Sequence, residues 1–242
     1  METINVLSIG NSFSQDAQHY LHNIAKFEGV NIQSLNLNKG GCSLEQHFRN
    51  VMGDRKDYDL DANGEIISLK ARAKDVILSR KWDYITIQQA SRVSFIQDEY
   101  FPYINELVAY IRKLCPKTKI LIHQTWGYAD DSERLKEFGF ENYDEMFSKV
   151  KECYQIAAET VNADGIIPSG EALQKALKLG IKKVHRDKAH ASMGVGRFII
   201  ALTWYKFITG NSIDNIKFNL FDEEITDEEF KIAIEAVSEV VK

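Results

Sequence analysis

The chain has 242 residues, of which 44% are hydrophobic and 27% charged, and its formal net charge is −5. This composition is typical of a folded globular protein rather than a disordered one, and the length fits a single α/β domain over residues 1–242. The acidic balance argues against a nucleic-acid partner, because phosphate binding normally needs a concentrated basic surface.

The first ten residues, METINVLSIG, read as a strand and lack the basic and apolar segments of a signal peptide. As it begins here, the chain predicts a cytoplasmic protein; a secreted or periplasmic protein whose signal peptide had been removed would begin in the same way. No apolar run reaches the ~18 residues of a membrane span, so no membrane partner is expected. Three distant cysteines, Cys42, Cys115 and Cys153, indicate neither a disulfide framework nor a zinc site.

Short apolar runs alternate with longer segments of helical periodicity, which predicts a parallel sheet flanked by helices. Five strands are expected, at Ile4–Ile9, Ile32–Leu37, Tyr84–Gln88, Lys119–His123 and Gly165–Ile167. Helices are expected at Gln15–Phe27, Ser43–Val51, Ala71–Arg80, Tyr100–Leu114, Tyr143–Val161, Gly170–Leu179, Met193–Thr209 and Asp227–Val241. The segment Gly53–Leu69 has an Asn63-Gly64 pair between strand-like runs, which favours a hairpin or an excursion near the site entrance.

In open α/β sheets, ligands bind beyond the carboxyl ends of the strands, so the residues that follow each predicted strand are the first candidates for a site. Ser12 follows the first strand and opens the next helix, where free amides can stabilise a developing oxyanion. This position suits a nucleophile. The alternative is a helix cap, since Ser12 and Gln15 match a capping box and Ser14 could serve instead.

Gly40 and Gly41 follow the second strand, and a glycine pair lets the backbone approach a ligand and direct an amide at it. A turn that needs positive φ is the alternative explanation. Near the carboxyl terminus, Asp187 precedes His190 by three residues. Asp187 could orient the ring of His190 while the other ring nitrogen removes a proton from a serine; an exposed histidine without a catalytic role is the alternative.

The order of these segments resembles the SGNH/GDSL hydrolase superfamily over nearly the whole chain. The run Ile9-Gly10-Asn11-Ser12-Phe13-Ser14 resembles its first sequence block, Gly40 or Gly41 the glycine of its second, and Asp187 with His190 its closing block. More narrowly, Trp82–Ser91 and His123–Trp126 resemble a bacterial subgroup of poorly characterised function.

This resemblance implies a three-layer α/β/α flavodoxin-like fold, no metal or organic cofactor, and hydrolysis of esters, often acetyl esters on carbohydrates. Ser12 would be the nucleophile, His190 the general base and later acid, and Asp187 the orienting carboxylate. The oxyanion would be held by the backbone amides of Ser12 and Gly41 together with a glutamine side chain.

Two positions depart from the superfamily pattern. Asn11 stands where an aspartate is usual, and the Gly-x-Asn-Asp of the third block is absent after Ile87. The missing asparagine would ordinarily donate to the oxyanion, so Gln88 or Gln89 is expected to replace it, with Gln88 preferred. The alternative is that both glutamines only satisfy backbone groups at the end of the strand.

The candidates for substrate binding are Asn11, Gly40, His123 and Trp126, because aromatic faces behind the fourth strand could pack against a sugar ring. A buried packing cluster is the alternative interpretation of the two aromatic side chains. His19 and His22 lie on one helix without a third ligand in view, so no metal site is expected.

Together these features predict a serine esterase that acts on a small acyl ester, such as an acetyl ester, of a carbohydrate or small molecule. The main alternative is a non-catalytic glycan- or ligand-binding module on the same fold, for which the missing Gly-x-Asn-Asp is the evidence. A flavodoxin-like nucleotide binder is a third possibility, opposed by the lack of a glycine-rich phosphate loop. The sequence makes no prediction about oligomeric state.

Overall fold

A seven-stranded sheet forms the centre of the computed structural model, which describes residues 2–242. The strands are β1 Thr3–Gly10, β2 Asn31–Asn38, β3 Lys56–Ala62, β4 Glu65–Arg72, β5 Tyr84–Ile87, β6 Lys119–His123 and β7 Gly165–Ile167. The helices are α1 Ser12–Gln18, α2 Leu21–Phe27, α3 Leu44–Met52, α4 Ala73–Ile77, α5 Tyr103–Leu114, α6 Glu133–Glu137, α7 Tyr143–Thr160, α8 Ser169–Leu179, α9 Val195–Thr209 and α10 Asp227–Val240. Two short 3-10 helices, Ser91–Val93 and Gln97–Tyr100, lie between β5 and α5.

The order of strands in the sheet is β4-β3-β2-β1-β5-β6-β7, and neighbouring strands from β2 to β7 are parallel. These five parallel strands are the ones expected from the sequence, and they follow the flavodoxin-like order. From β1 the chain moves outward to β2 on one side and through β5, β6 and β7 on the other. Because parallel crossovers are right-handed, this reversal places helices on both faces and leaves a crevice beyond the ends of β1 and β5.

The expected number of strands, five, is wrong, because β3 and β4 form an antiparallel hairpin that extends the sheet beyond β2. Asn63 and Gly64 make its turn, both with positive φ, as a tight hairpin requires. The hairpin interpretation of this segment was therefore right. Periodicity could not show that it joins the main sheet, since six successive residues at the start of β4 are exposed and polar and apolar side chains do not alternate there.

The single helix expected over Gln15–Phe27 is instead two helices, α1 and α2. They separate at His19 and Tyr20, where the turn of the β3–β4 hairpin packs against the His19 carbonyl. The sequence contains no glycine or proline at this break, so local composition gave no indication of it. Tertiary packing against the hairpin explains the difference.

Two other helices are shorter than expected. The helix predicted over Ala71–Arg80 is reduced to α4, because β4 continues to Arg72. The helix predicted over Tyr100–Leu114 begins only after Pro102, with the second 3-10 helix before it. The remaining predicted helices agree with the structure to within two residues at either end.

Helix α9 is the central helix of one face of the sheet. Twelve of its residues are buried, and α1, α2, α8 and α10 all pack against it. A helix that is apolar on every side belongs in a protein core, where each of its faces meets another element. Its position fixes the loop that precedes it, which contains Asp187 and His190.

Candidate active site

Ser12, His190 and Asp187 form a continuous hydrogen-bonded line beyond the carboxyl end of β1. The Ser12 Oγ lies 2.8 Å from His190 Nε2, and His190 Nδ1 lies 2.7 Å from Asp187 Oδ2. When Nδ1 carries the proton shared with the carboxylate, Nε2 is free to accept the proton of the serine hydroxyl. The fold thus joins two side chains that are 178 positions apart in the sequence.

The helix that begins with Ser12 is capped by Asn11, not by Ser12 or Ser14. The Asn11 Oδ1 accepts a hydrogen bond of 3.0 Å from the Phe13 backbone N–H, and the backbone of Asn11 is extended, as at most helix caps. Ser14 instead donates to the Asn11 carbonyl and to Asn36 Oδ1. Because the cap is supplied by its neighbour, the Ser12 hydroxyl remains available to His190.

Gly10 is required at the exit of β1 for steric reasons. A Cβ atom at this position would overlap the Ser14 hydroxyl and would also lie 3.4 Å from Gln88 Oε1. The close approach of these two side chains to the backbone brings the start of α1 directly over the strand end. This local geometry explains why a glycine precedes the Asn-Ser pair.

The loop from His185 to Ala191 is a narrow turn held by hydrogen bonds between its two ends. The Arg186 backbone N–H donates to the His190 carbonyl, and His185 pairs with Ala191. Between them, Lys188 adopts a left-handed conformation with φ of 70°. The turn holds Asp187 and the His190 ring on the same side.

The Asp187 carboxylate is held in its ionised form by the turn. Partial burial would raise its pKa, but hydrogen bonds from the His190 backbone N–H and ring, with a further one from Ala189, outweigh burial and lower the pKa to about 2. The carboxylate is therefore charged at neutral pH, when it can both orient the His190 ring and stabilise the imidazolium that forms during proton transfer.

A buried ion pair connects this turn to the helix of Ser12. Asp16 lies four residues after Ser12, is completely buried, and accepts hydrogen bonds of 2.9 and 3.0 Å from Arg186 Nη1. Arg197 of α9 donates to the same carboxylate at 2.9 Å, and the Arg186 guanidinium also donates to the Ala191 carbonyl. The guanidinium of Arg186 thus bonds the far end of the turn to the nucleophile helix.

None of Asp16, Arg186 and Arg197 was predicted from the sequence as a site residue. The only signal is that Arg186 is adjacent to Asp187. Asp16 stands at a helical position that would be read as solvent-exposed, because a charged residue is rarely buried without a partner and its partners lie 170 or more positions away.

Gly41, which the sequence predicts to supply an oxyanion-hole amide, lies in the loop that follows β2. It is exposed at the end of β2 with φ of 61°, a conformation that favours glycine. The Asn11 carboxamide donates to the Cys42 carbonyl at 3.1 Å, which ties this loop to the residue before Ser12. Gly40 is also exposed in this loop, whereas Asn11 is buried and uses its Oδ1 and one Nδ2 hydrogen within the protein. A direct contact between Asn11 and substrate, expected from the sequence, stays a prediction and would use the second Nδ2 hydrogen of this side chain.

Gln88 is oriented by a chain of buried side chains. Its Nε2 donates to Asn11 Oδ1 at 2.7 Å, and its Oε1 accepts at 2.7 Å from His123 Nδ1, whose Nε2 lies 3.1 Å from the Ser169 hydroxyl. Burial lowers the pKa of His123 to about 3, so its ring is neutral. A neutral ring that accepts from Ser169 must donate to Gln88, and this directs the glutamine amide group, with one further N–H, towards Asn11 and the strand end.

The Gln89 side chain differs from that of Gln88 because its hydrogen bonds are made to backbone groups of the protein. Its Oε1 accepts from the backbone N–H groups of Leu44 and Ala90, and its Nε2 donates to the Glu99 carbonyl. The side chain is completely buried. Its inclusion among the oxyanion donors is therefore not supported by its position, and the alternative interpretation, satisfaction of backbone groups at a strand end, describes it.

His123 and Trp126 do not form a wall for a substrate, because both are completely buried. Trp126 stacks on Phe13 with ring centroids 4.3 Å apart, and its Nε1 donates to the Ala189 carbonyl at 2.8 Å. The packing interpretation of these side chains is thus the correct one. Both support the site from behind, His123 through Gln88 and Trp126 through the turn between Asp187 and His190.

Other predicted absences concern metals, membranes and cysteines. Within residues 2–242, no group of three or more histidine, cysteine, aspartate or glutamate side chains is arranged to hold a metal ion, and no helix is long and apolar enough to cross a bilayer. His19 lies beside Asp222 at 2.7 Å, and His22 contacts the Ile32 carbonyl. The three cysteines are unpaired thiols.

The fold matches solved structures of the SGNH/GDSL superfamily. A proposed SGNH hydrolase from Slackia heliotrinireducens superposes with a TM-score of 0.60 at 18% identity, covering 86% of this chain and 100% of that one. A variant of an acetyl xylan esterase from Geobacillus stearothermophilus gives 0.57 at 15% identity, covering 88% and 97%. No curated protein matches the chain.

A much nearer structural relative is a DUF4886 family protein from Bacteroides uniformis. It is 34% identical, with a TM-score of 0.92, and the alignment covers 99% of this chain and 95% of that one. The family described as "Domain of unknown function (DUF4886)" matches residues 5–239. The chain is thus a member of the DUF4886 family, on the fold of the SGNH hydrolases.

Proposed function

We propose that this protein is a serine hydrolase that cleaves a small acyl ester, such as an acetyl ester, of a carbohydrate or small molecule. The observation that supports this proposal is the line of Ser12, His190 and Asp187, with consecutive distances of 2.8 and 2.7 Å. The same fold in an acetyl xylan esterase supports the choice of an acetyl group on a carbohydrate. The geometry of the site is the main support for the proposal, and the similarity of fold is secondary.

In the first half of the reaction, His190 Nε2 takes the proton of Ser12 as Oγ attacks the ester carbonyl. The Asp187 carboxylate keeps the proton of Nδ1 between them and stabilises the positive ring. The tetrahedral intermediate then collapses, the bond to the alcohol breaks, and the alcohol leaves with the proton from His190. An acyl-enzyme on Ser12 remains.

In the second half, His190 takes a proton from a water molecule, which attacks the acyl-enzyme carbonyl. Collapse of this intermediate returns the proton to Ser12 and releases the carboxylic acid. In both halves, negative charge on the carbonyl oxygen would be stabilised by the amides of Ser12 and Gly41 and by the second N–H of Gln88. The Gln88 side chain takes the place of the superfamily's third-block asparagine.

The rival function, a non-catalytic binding module, predicts no working alignment of the three side chains. A separation of more than about 5 Å between the serine hydroxyl and the histidine ring would favour it. The observed 2.8 Å favours the enzyme instead. The missing Gly-x-Asn-Asp supports the rival, whereas the position of the Gln88 amide beside Asn11 supports a replacement donor and hence the enzyme.

The proposal is tested by replacing Ser12 or His190 with alanine and measuring hydrolysis of p-nitrophenyl acetate. Each variant is expected to lower kcat by several orders of magnitude, since disabling a serine triad can cost roughly 10⁶. Ser148→Ala, on the exposed face of α7, is the matched control and should keep the wild-type rate. A fluorophosphonate should label Ser12, as shown by mass spectrometry of the modified peptide.

Two results would contradict the proposal. Wild-type turnover in either alanine variant would remove the assigned role from that residue. Labelling at Ser14 or Ser91 in place of Ser12 would assign the nucleophile to another position.

A further inference from the structure

Arg92 connects the loop that follows β5 with the loop that follows β2. Its guanidinium donates from Nη1 to the Gly41 carbonyl, in the loop that follows β2. In the sheet, β1 lies between β2 and β5. A contact between the loops after β2 and β5 must therefore pass across the end of β1, where Ser12 lies.

The backbone of Arg92 is held firmly in this position. It belongs to the 3-10 helix Ser91–Val93, which Gln89 fixes on one side through the Ala90 N–H and Tyr128 on the other through a 2.9 Å bond to Ser91 Oγ. Ser94 closes the turn by donating to the Ser91 carbonyl. These bonds fix the backbone from which the Arg92 side chain extends, so less backbone entropy is lost when a ligand binds there.

The positive charge of Arg92 has no partner of opposite sign. Within residues 2–242, no carboxylate lies within ion-pair distance of its guanidinium, and the Gly41 carbonyl is the one acceptor it contacts. Two other cations near this edge of the sheet are paired, Lys39 with Asp57 and Lys188 with Asp131. Because an arginine has five N–H donors in a planar fork, most of the donors of Arg92 are free for a ligand.

We propose that Arg92 binds an anionic group of the substrate, so that the preferred ester carries a carboxylate near the scissile bond. This inference rests on the proposed function and names its substrate class. A guanidinium can donate two parallel N–H···O bonds to the two oxygens of a carboxylate. A neutral ester lacks this pair of charged acceptors. The anion can belong to the acyl group or to the alcohol, and the experiment distinguishes these sources.

The test compares three esters in the wild type and in Arg92→Gln. They are p-nitrophenyl acetate, which is neutral, p-nitrophenyl hemisuccinate, with a carboxylate on the acyl group, and 4-acetoxybenzoate, with a carboxylate on the leaving group. The quantity measured is kcat/KM for each anionic ester divided by that for the neutral ester. This ratio removes any effect of the variant on the Gly41 loop that is common to all esters.

Arg92→Gln is expected to lower this ratio at least tenfold for one of the two anionic esters. The ester affected identifies the side of the substrate that carries the anion. Arg80→Gln is the matched control: its guanidinium lies over Trp82, before the start of β5 and so at the opposite edge of the sheet. This control should leave both ratios at the wild-type value. Equal losses for all three esters in Arg92→Gln would give Arg92 a purely structural role and overturn the proposal.

A binding measurement separates this proposal from the proposed hydrolysis. Ser12→Ala protein is titrated with monomethyl succinate, an anion, and with dimethyl succinate, and the backbone amide signal of Gly41 is followed by NMR. The anion should bind at least tenfold more tightly, and adding Arg92→Gln should abolish the difference. Equal affinities would overturn the anion site, whereas tight anion binding by a protein that hydrolyses none of the esters would overturn only the hydrolase.

Discussion

At the level of single residues, the contacts of Asn11 favour an amide over the aspartate that is usual in the superfamily the sequence resembles. Its Oδ1 accepts from Phe13 and Gln88, while its Nδ2 donates to the Cys42 carbonyl. An aspartate could accept the first two bonds but could not donate the third. The amide is therefore the side chain that joins the nucleophile turn to the Gly41 loop.

Replacing Asn11 with aspartate would restore the usual sequence and is expected to damage the protein. A buried carboxylate would then face the Cys42 carbonyl with no hydrogen to share. The loss of this buried hydrogen bond should lower the free energy of unfolding by about 1–3 kcal/mol. Urea denaturation measures this loss, with the exposed Asn215→Asp as control. A variant as stable as the wild type, with undiminished kcat, would show that the bond to Cys42 has no such role.

At the level of elements, the ion pairs of Asp16 connect three parts of the chain: α1, the turn of Asp187 and His190, and α9. Arg186 and Arg197 share one carboxylate, but only Arg186 belongs to the turn and also bonds the Ala191 carbonyl. Arg197 also pairs with Asp222 at 3.1 Å. The two arginines therefore offer two substitutions on one shared carboxylate that differ in their connection to the candidate active site.

Arg186→Lys and Arg197→Lys should both lower the free energy of unfolding, since lysine keeps the charge but lacks the planar fork. Only Arg186→Lys is expected to lower kcat for p-nitrophenyl acetate substantially, by about 10- to 100-fold, because small misplacements of catalytic groups cost rate on this scale. Both are measured at a temperature where circular dichroism shows them fully folded. Equal kcat losses would mean that the ion pairs act through general stability.

The elements differ in how well the sequence predicts them. The parallel strands have apolar runs bounded by turns, and their assignment is confirmed, as are the later helices with a clear apolar face. The Asn63-Gly64 pair signals the hairpin itself. Its pairing with β2 and the break at His19 and Tyr20 depend on contacts with distant segments, for which local patterns contain no signal. Of the two missed strands, β4 begins with six exposed residues, whereas β3 buries three of its seven residues.

The residues of the candidate site also differ in how well the sequence predicts their positions. Ser12, Asp187 and His190 were expected together from the order of motifs, and the structure places them in contact. Gln89, His123 and Trp126 were expected at the substrate and are buried. A polar side chain at a strand end has the same sequence signature whether it faces a ligand or the backbone, and only the fold distinguishes these cases.

At the level of the whole molecule, the active site depends on the complete fold, because its two halves come from opposite ends of the chain. Trp82, Trp126 and Trp204 are all buried, and Trp126 stacks on the residue that follows Ser12. Tryptophan fluorescence and the alignment of Ser12 with His190 should therefore be lost together on unfolding.

In a urea titration, the rate of fluorophosphonate labelling of Ser12 is expected to fall with the same midpoint as tryptophan fluorescence. A two-state transition gives coincident midpoints for different probes. Labelling of Ser12→Ala provides the background. A midpoint for labelling well below that of fluorescence would show that the turn of Asp187 and His190 opens by itself before the core unfolds.

Ser12 and His190 are 178 positions apart in the sequence, so they are synthesised at different times during translation. The hydroxyl leaves the ribosome early, while the imidazole that would activate it is still to be synthesised. Throughout most of its synthesis the growing polypeptide would hold Ser12 without its histidine partner, so prematurely terminated products would lack the proposed activity.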